Sequence, residues 1–207
     1  MSFIKTQRVA EAQDTVLEMY QRQEEHWGYV PNYAKVFSHR PEVLARWAQL
    51  LAEMRRPMDL RRFELVTFVV AHTLKHTACS LTHGKELARI IGNDVVMAIA
   101  AGDEAGVLPA VEVAIVRYAR QVALDAANVG AEQVEALKYR HGLTDAEVFD
   151  IAAVAAGRCY FTKLLDALGC EPDITYMAME TDFRCALANG RPISQAPLES
   201  IAADNLE

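Results

Sequence analysis

The chain has only four cysteines, Cys79, Cys159, Cys170 and Cys185, and no two of them form a CxxC pair. Spacing this wide excludes a disulfide framework and suits a reducing compartment, where a separate cysteine is either inert core or a reactive thiol. Basic stripes are missing as well, since 21 Lys and Arg against 28 Asp and Glu leave a net charge of −7. An acidic surface of this kind repels phosphate backbones, which excludes nucleic acid as a partner. The apolar run from Leu65 to Ala71 falls well short of the ~18 residues that would suggest a membrane-spanning helix. The opening residues 1–7 carry no apolar signal region, so a soluble, cytoplasmic protein without a membrane partner is expected. Gly-rich and Ser-rich stretches are absent, and with them flexible linkers. No stretch keeps a period of two between turn signals, so no strand is expected.

What remains is helix. The 207 residues are 52% hydrophobic, enough to bury a real core as one domain or two closely packed halves. Residues 6–25 are amphipathic with Val9, Ala12, Val16, Met19 and Tyr20 on one face. After the aromatic loop Trp27-Gly28-Tyr29-Val30-Pro31-Asn32, Asn32 is placed to cap a short helix over 33–38. Pro41 opens the next helix, and Asp59 caps one over 60–75 that is apolar nearly all round and should be central. Further helices are expected over 79–91, stopped by Gly92, then from Asn93, over 109–126, over 131–140, from the capping box Thr144-Asp145-Ala146-Glu147 towards Gly169, and from Pro172-Asp173 to Gly190. The fold class is all-α and compact. Residues 1–190 read as a single helical domain, with an active-site half at about 27–107 and a second half at about 108–190. Residues 191–207 read as a loose or partner-docked tail.

The segments beginning at Glu64 and at Glu112 echo each other weakly, as two degenerate helical repeats. In that register Leu124, Ala127 and Ala131 stand where the first copy has His76, Cys79 and His83, so only the first copy carries chemistry.

His72, His76, Cys79 and His83 recur at helical spacing, and on one unbroken helix all four share a face. Glu64, two turns before His72, is a carboxylate inside an apolar helix. A buried carboxylate must be paired or have a raised pKa, which is one way to make a general acid or base. Three readings compete. A helix break near His76, with Thr77 as cap, would put Cys79 in a first turn where the dipole favours thiolate and His83 can bond the sulfur. An unbroken helix would let His72, His76, Cys79 and His83 bind a divalent metal. In the third, the four are satisfied core side chains.

Glu64 followed by His76-Thr77-Ala78-Cys79-Ser80-Leu81-Thr82-His83 resembles the alkylhydroperoxidase D/carboxymuconolactone decarboxylase family. In its peroxidase branch a Glu stands twelve residues before the first cysteine of C-x-x-C-x-x-x-H. Glu64, Cys79 and His83 match the Glu, the second cysteine and the His, while His76 occupies the place of the first cysteine. Gly28-Tyr29-Val30-Pro31-Asn32 is similar to the loop that leads into the domain in peroxidase-related members, and the likeness spans roughly 27–172. The resemblance implies an all-α alkylhydroperoxidase D-like fold, a homo-oligomer (dimer or hexamer) and no cofactor. It implies an oxidoreductase, a peroxidase-like antioxidant enzyme acting on a small-molecule hydroperoxide with a thiol reductant. Its catalytic residues would be Cys79, His83, Glu64 and His76. Without the first cysteine the family's dithiol cycle does not carry over, so an external thiol or a distant cysteine such as Cys159 must resolve the oxidised sulfur. The alternative implied by the other branch is a cofactor-free lyase acting on a lactone by His and Glu proton transfer, with Arg61, Arg62 and Arg89 as candidate clamps.

Overall fold

The structure, a computed structural model, describes residues 2–201, and among these no strand is present. The helices are α1 (Asp14–Trp27), α2 (Asn32–Val36), α3 (Pro41–Arg55), α4 (Leu60–Thr73), α5 (Thr77–Ile91), α6 (Asn93–Ala101), α7 (Glu104–Val107), α8 (Ala110–Asp125), α9 (Ala131–Glu135), α10 (Asp145–Ala167) and α11 (Thr181–Leu187). No described helix is long and apolar enough to cross a membrane.

The apolar run of α4 explains the layout. Phe63 to Ala71 are all buried, so each side of the helix needs a partner. Phe63, Val66 and Val70 pack with Ile115, Ala119, Ile151 and Val154 of α8 and α10. Leu65, Phe68 and Val69 pack with Leu81, Leu87, Val96 and Leu187. Ala71 joins a third cluster with Tyr20, Val30, Trp47, Phe161, Cys79 and Cys170. Each large apolar side chain buried this way contributes about 1.5–3 kcal/mol, and α4 belongs to all three clusters.

Helix ends follow local chemistry in most places. Asp59 accepts from the Arg62 amide at 2.9 Å. Thr144 and Glu147 form the reciprocal capping box. Gly169 takes φ 72 at the end of α10. Several expectations need correction. The first helix starts at Asp14, preceded by a 3₁₀ turn at Val9–Glu11, rather than running from residue 6. Asn32 does not cap with its side chain. Instead its amide donates to Asp173 Oδ1 at 2.9 Å, so a carboxylate distant in sequence does the capping. The last helix is split into a 3₁₀ turn at Ile174–Ala178 and α11, whose first amides are accepted by Glu180. Trp27, which the sequence places in the aromatic loop, is the exposed last residue of α1.

The segment read as a tail is laid on its own chain over its described part. Ser194 donates to the Pro172 carbonyl, Val30 to the Glu199 carbonyl, and Lys35 pairs with Glu199 at 2.7 Å. Residues 202–207 lie outside the described residues.

Candidate active site

α4 ends in a Schellman turn. The His76 amide donates to the Ala71 carbonyl and the Lys75 amide to the His72 carbonyl. Lys75 holds the left-handed conformation, φ 59, usually left to glycine. This turn breaks the histidine-cysteine stripe. His76 itself caps α5, its Nδ1 accepting from the Cys79 amide at 3.1 Å, and the cap expected at Thr77 is corrected accordingly. Thr77 is the first helical residue, and its Oγ1 accepts from the Gly190 amide at 3.0 Å.

Cys79 is therefore the third residue of α5, where the helix dipole favours an anion. Its thiol is buried. Burial alone would push the thiol pKa up. The neighbouring His76 and Arg158 outweigh it by charge and hydrogen bonding, so the pKa falls below the ordinary 9.0. Arg158, on α10, donates from Nη1 to Cys79 Sγ at 3.4 Å and is itself only 3% exposed.

Across the site, buried Glu64 of α4 accepts from His83 Nδ1 at 2.7 Å. Burial, then Arg158, lower the His83 pKa, and Glu64 offsets only part of that. His83 is thus the neutral imidazole near pH 7, with its Nδ1 proton on Glu64 and its Nε2 lone pair available. Cys79 and His83 stand one turn apart on the same face of α5.

His76 carries a conflict. Burial lowers its pKa, but the Cys79 thiolate and Asp166 raise it further, for a net rise. A proton on Nδ1 would break the cap to the Cys79 amide. Cap and imidazolium are therefore alternatives, and in this geometry the ring carries its proton on Nε2.

His72 is separated from the rest. Its Nδ1 bonds Ser80 Oγ at 3.1 Å, and Asn189 bonds its Nε2 and carbonyl. With the helix broken, His72, His76, Cys79 and His83 do not converge. Among the described residues no group of three or more His, Cys, Asp or Glu is placed to hold a metal ion. The four-residue metal alternative is corrected on that ground.

The proposed arginine clamps are also used elsewhere. Arg61 makes a bidentate pair with Glu112, Arg62 bonds Glu147, and Arg89 bonds Glu86. The arginine at the site is Arg158, which sequence reasoning passed over. The signal was present, since Arg158 interrupts an apolar helix as Glu64 does. Cys159 is half-buried and packs with the α4–α8–α10 cluster, whereas buried Cys170 shares a cluster with Cys79. Burial pushes the Cys170 thiol up to about 12.

Two contacts tie the 3₁₀ turn Ile174–Ala178 to α5 and to the loop after α1. Tyr176 and Thr82 hydroxyls meet at 2.7 Å, and those of Tyr29 and Thr175 at 3.1 Å. Tyr29 is accordingly buried.

No family model and no curated protein matches the sequence. Solved structures match by shape. The alkylhydroperoxidase D core of an uncharacterized peroxidase-related protein from Ralstonia eutropha JMP134 aligns with a TM-score of 0.74 at 20% identity, over 86% of this chain and 95% of that one. An uncharacterized peroxidase-related protein from Silicibacter sp. TM1040 gives 0.66 at 20% identity, over 81% and 89%. The debrominase Bmp8, as a cysteine-to-alanine variant in complex with 2,3,4-tribromopyrrole, gives 0.68 at 12% identity, over 87% and 96%. The chain has the alkylhydroperoxidase D-like fold.

Proposed function

We propose that this chain, built on the alkylhydroperoxidase D-like fold, is a peroxidase-like oxidoreductase that reduces hydroperoxides through the single thiol Cys79. The observation that carries this reading is the contact between buried Arg158 and Cys79 Sγ in the first turn of α5. A cation and a helix N-terminus there lower the cost of forming the thiolate, and thiolate is the nucleophile.

His83 Nε2 accepts the thiol proton and becomes an imidazolium held by Glu64. The sulfur attacks the terminal peroxide oxygen, an S–O bond forms as the O–O bond breaks, and the sulfur becomes a sulfenic acid. The departing alkoxide takes the proton from His83 and leaves as alcohol. A small external thiol then attacks the sulfenic sulfur, releasing water and leaving a mixed disulfide. A second thiol displaces Cys79 and carries away the disulfide. His76 supports the first turn of α5 and competes for the same proton.

The lyase alternative draws less support, because Arg61, Arg62 and Arg89 are engaged with Glu112, Glu147 and Glu86 away from the site. Association as a dimer or hexamer belongs to the same proposal. The exposed Val43, Leu50, Phe149 and Tyr160 of α3 and α10 support it.

The test is peroxide consumption with a thiol donor, comparing wild type with Cys79→Ser. Loss of turnover in the variant is expected. Equal rates would remove Cys79 from the chemistry.

A further inference from the structure

We propose that Arg158 forms, with the first turn of α5, a binding subsite for a small anion beside Cys79, so that the substrate bears a carboxylate or an equivalent single negative charge. The inference deepens the thiol reading and rests on Cys79 being the reactive sulfur.

Arg158 differs from the other arginines that reach into the body of the protein. Arg61, Arg62, Arg120 and Arg191 are all more exposed, and each faces a carboxylate: Glu112, Glu147, Glu104 and Asp166. Arg158 is more deeply buried and, among the described residues, makes no ion pair. Among the described residues its guanidinium makes one hydrogen bond, from Nη1 to Cys79 Sγ, and its Nε is buried with no partner.

A guanidinium carries five N–H donors in a planar fork that matches a carboxylate two bonds at a time. Arg158 lies over the Phe161 ring, 5.7 Å from its centroid, which offsets part of the cost of burying a cation without a counter-ion but leaves its N–H donors unmet. The thiolate meets only part of that need. It is a single large acceptor on one nitrogen and does not satisfy the fork. It also ceases to be a free thiolate once the sulfur reacts. A carboxylate on the substrate would supply the missing acceptor, and it would hold the electrophilic atom next to the sulfur. The N-terminus of α5, fifteen residues long, adds its dipole to the same spot.

The other charges near the sulfur agree. His76 is adjacent and tends to gain a proton, His83 is neutral, and Glu64 is engaged by His83.

Alkylation tests this without any peroxide. Iodoacetate and iodoacetamide are similar in size and both lose iodide to a thiolate, but only the first is an anion, so their rate ratio cancels access. Exposed Cys185 in the same molecule provides the reference ratio. Site-resolved mass spectrometry should show an iodoacetate-to-iodoacetamide ratio at Cys79 about tenfold above that at Cys185, as one charge-assisted contact allows. Arg158→Met should abolish that preference, and Arg158→Lys should keep part of it. Formate added to wild type should slow iodoacetamide at Cys79 and leave Cys185 unchanged, a readout that does not depend on any variant folding. A ratio at Cys79 no higher than at Cys185, or no reaction at Cys79 with either reagent, overturns the subsite. A protein that shows the preference but consumes no peroxide keeps the subsite and loses the peroxidase reading.

Discussion

Arg158 Nη1 lies 3.4 Å from Cys79 Sγ, joining the middle of α10 to the first turn of α5. The contact brings together two groups that are each costly to bury alone, a guanidinium and a sulfur anion. Each stabilises the ionised form of the other, so the pair behaves as one unit in which removing either member exposes the cost of the other.

The first prediction concerns that pair. The rate of Cys79 modification by iodoacetamide, followed against pH, should rise through a midpoint below the ordinary thiol value of 9.0. Arg158→Met removes a cation that favours thiolate, so the midpoint must move up, by about one pH unit or roughly 1.4 kcal/mol. An unmoved midpoint would show that Arg158 does not tune the thiol.

Glu64 and His83 should separate from Cys79 by their kinetics. Glu64→Gln and His83→Gln are expected to lower peroxide turnover about 10²- to 10⁴-fold, the usual contribution of a positioned acid-base group. Iodide leaves without a proton, so iodoacetamide needs only the first half of the relay, and its reaction with Cys79 should fall much less than turnover in both variants. Because burial lowers the His83 pKa, wild-type turnover should hold down to pH 6.5 and fall only below it, as His83 gains its proton. Variants that lose alkylation and turnover together would assign the Glu64–His83 pair to thiol activation alone.

Much of this arrangement is legible in the sequence, and the parts that are not have a common physical cause. The apolar run Phe63–Ala71 announces a central helix, and the same run makes Glu64 conspicuous as a charge with nowhere to go. Asp59, Pro41, Thr144 and Gly92 mark helix ends through interactions within a few residues. The break at His76 is harder to read, because Lys75 fills a conformation usually signalled by glycine, and the cap is a histidine ring. Asp173 as the cap of α2 and Arg158 as the partner of Cys79 depend on contacts 141 and 79 residues apart. No local pattern encodes such contacts. Arg158 still has a signal, a charge inside the apolar stretch Val154–Phe161. It is easy to overlook because a long arginine on a helix usually carries its charge out to water.

His76 should show whether capping or charge is its main contribution. Asparagine accepts a helix-cap bond but does not titrate, whereas alanine does neither. His76→Asn is therefore expected to keep most of the stability that His76→Ala loses, about 1 kcal/mol in chemical denaturation. Both variants remove the ring that favours the thiolate, so the iodoacetamide midpoint of Cys79 should rise in both. A normal midpoint in His76→Asn would reduce the ring to a cap.

Asp173 gives a stability prediction with a definite sign. Its carboxylate accepts from the Asn32 amide, yet burial pushes its pKa up from 3.8 to about 6. A folded pKa above the unfolded one means that the folded state holds the proton more tightly. The stability from that proton is fully present below about pH 4 and is lost as pH rises through 6. At pH 7.5 the charged, buried carboxylate costs on the order of 1–3 kcal/mol, since each tenfold change in proton affinity is worth ~1.4 kcal/mol. Asp173→Asn keeps an acceptor for the Asn32 amide without the charge, so it should stabilise the protein by that amount at pH 7.5. The gain should shrink steadily as pH falls from 6 to 4, where wild-type Asp173 is itself neutral. Urea denaturation of both proteins across that range measures it directly. A gain independent of pH would mean that packing around residue 173 differs between the two side chains, and a loss at pH 7.5 would mean that the bond to Asn32 needs the full carboxylate charge.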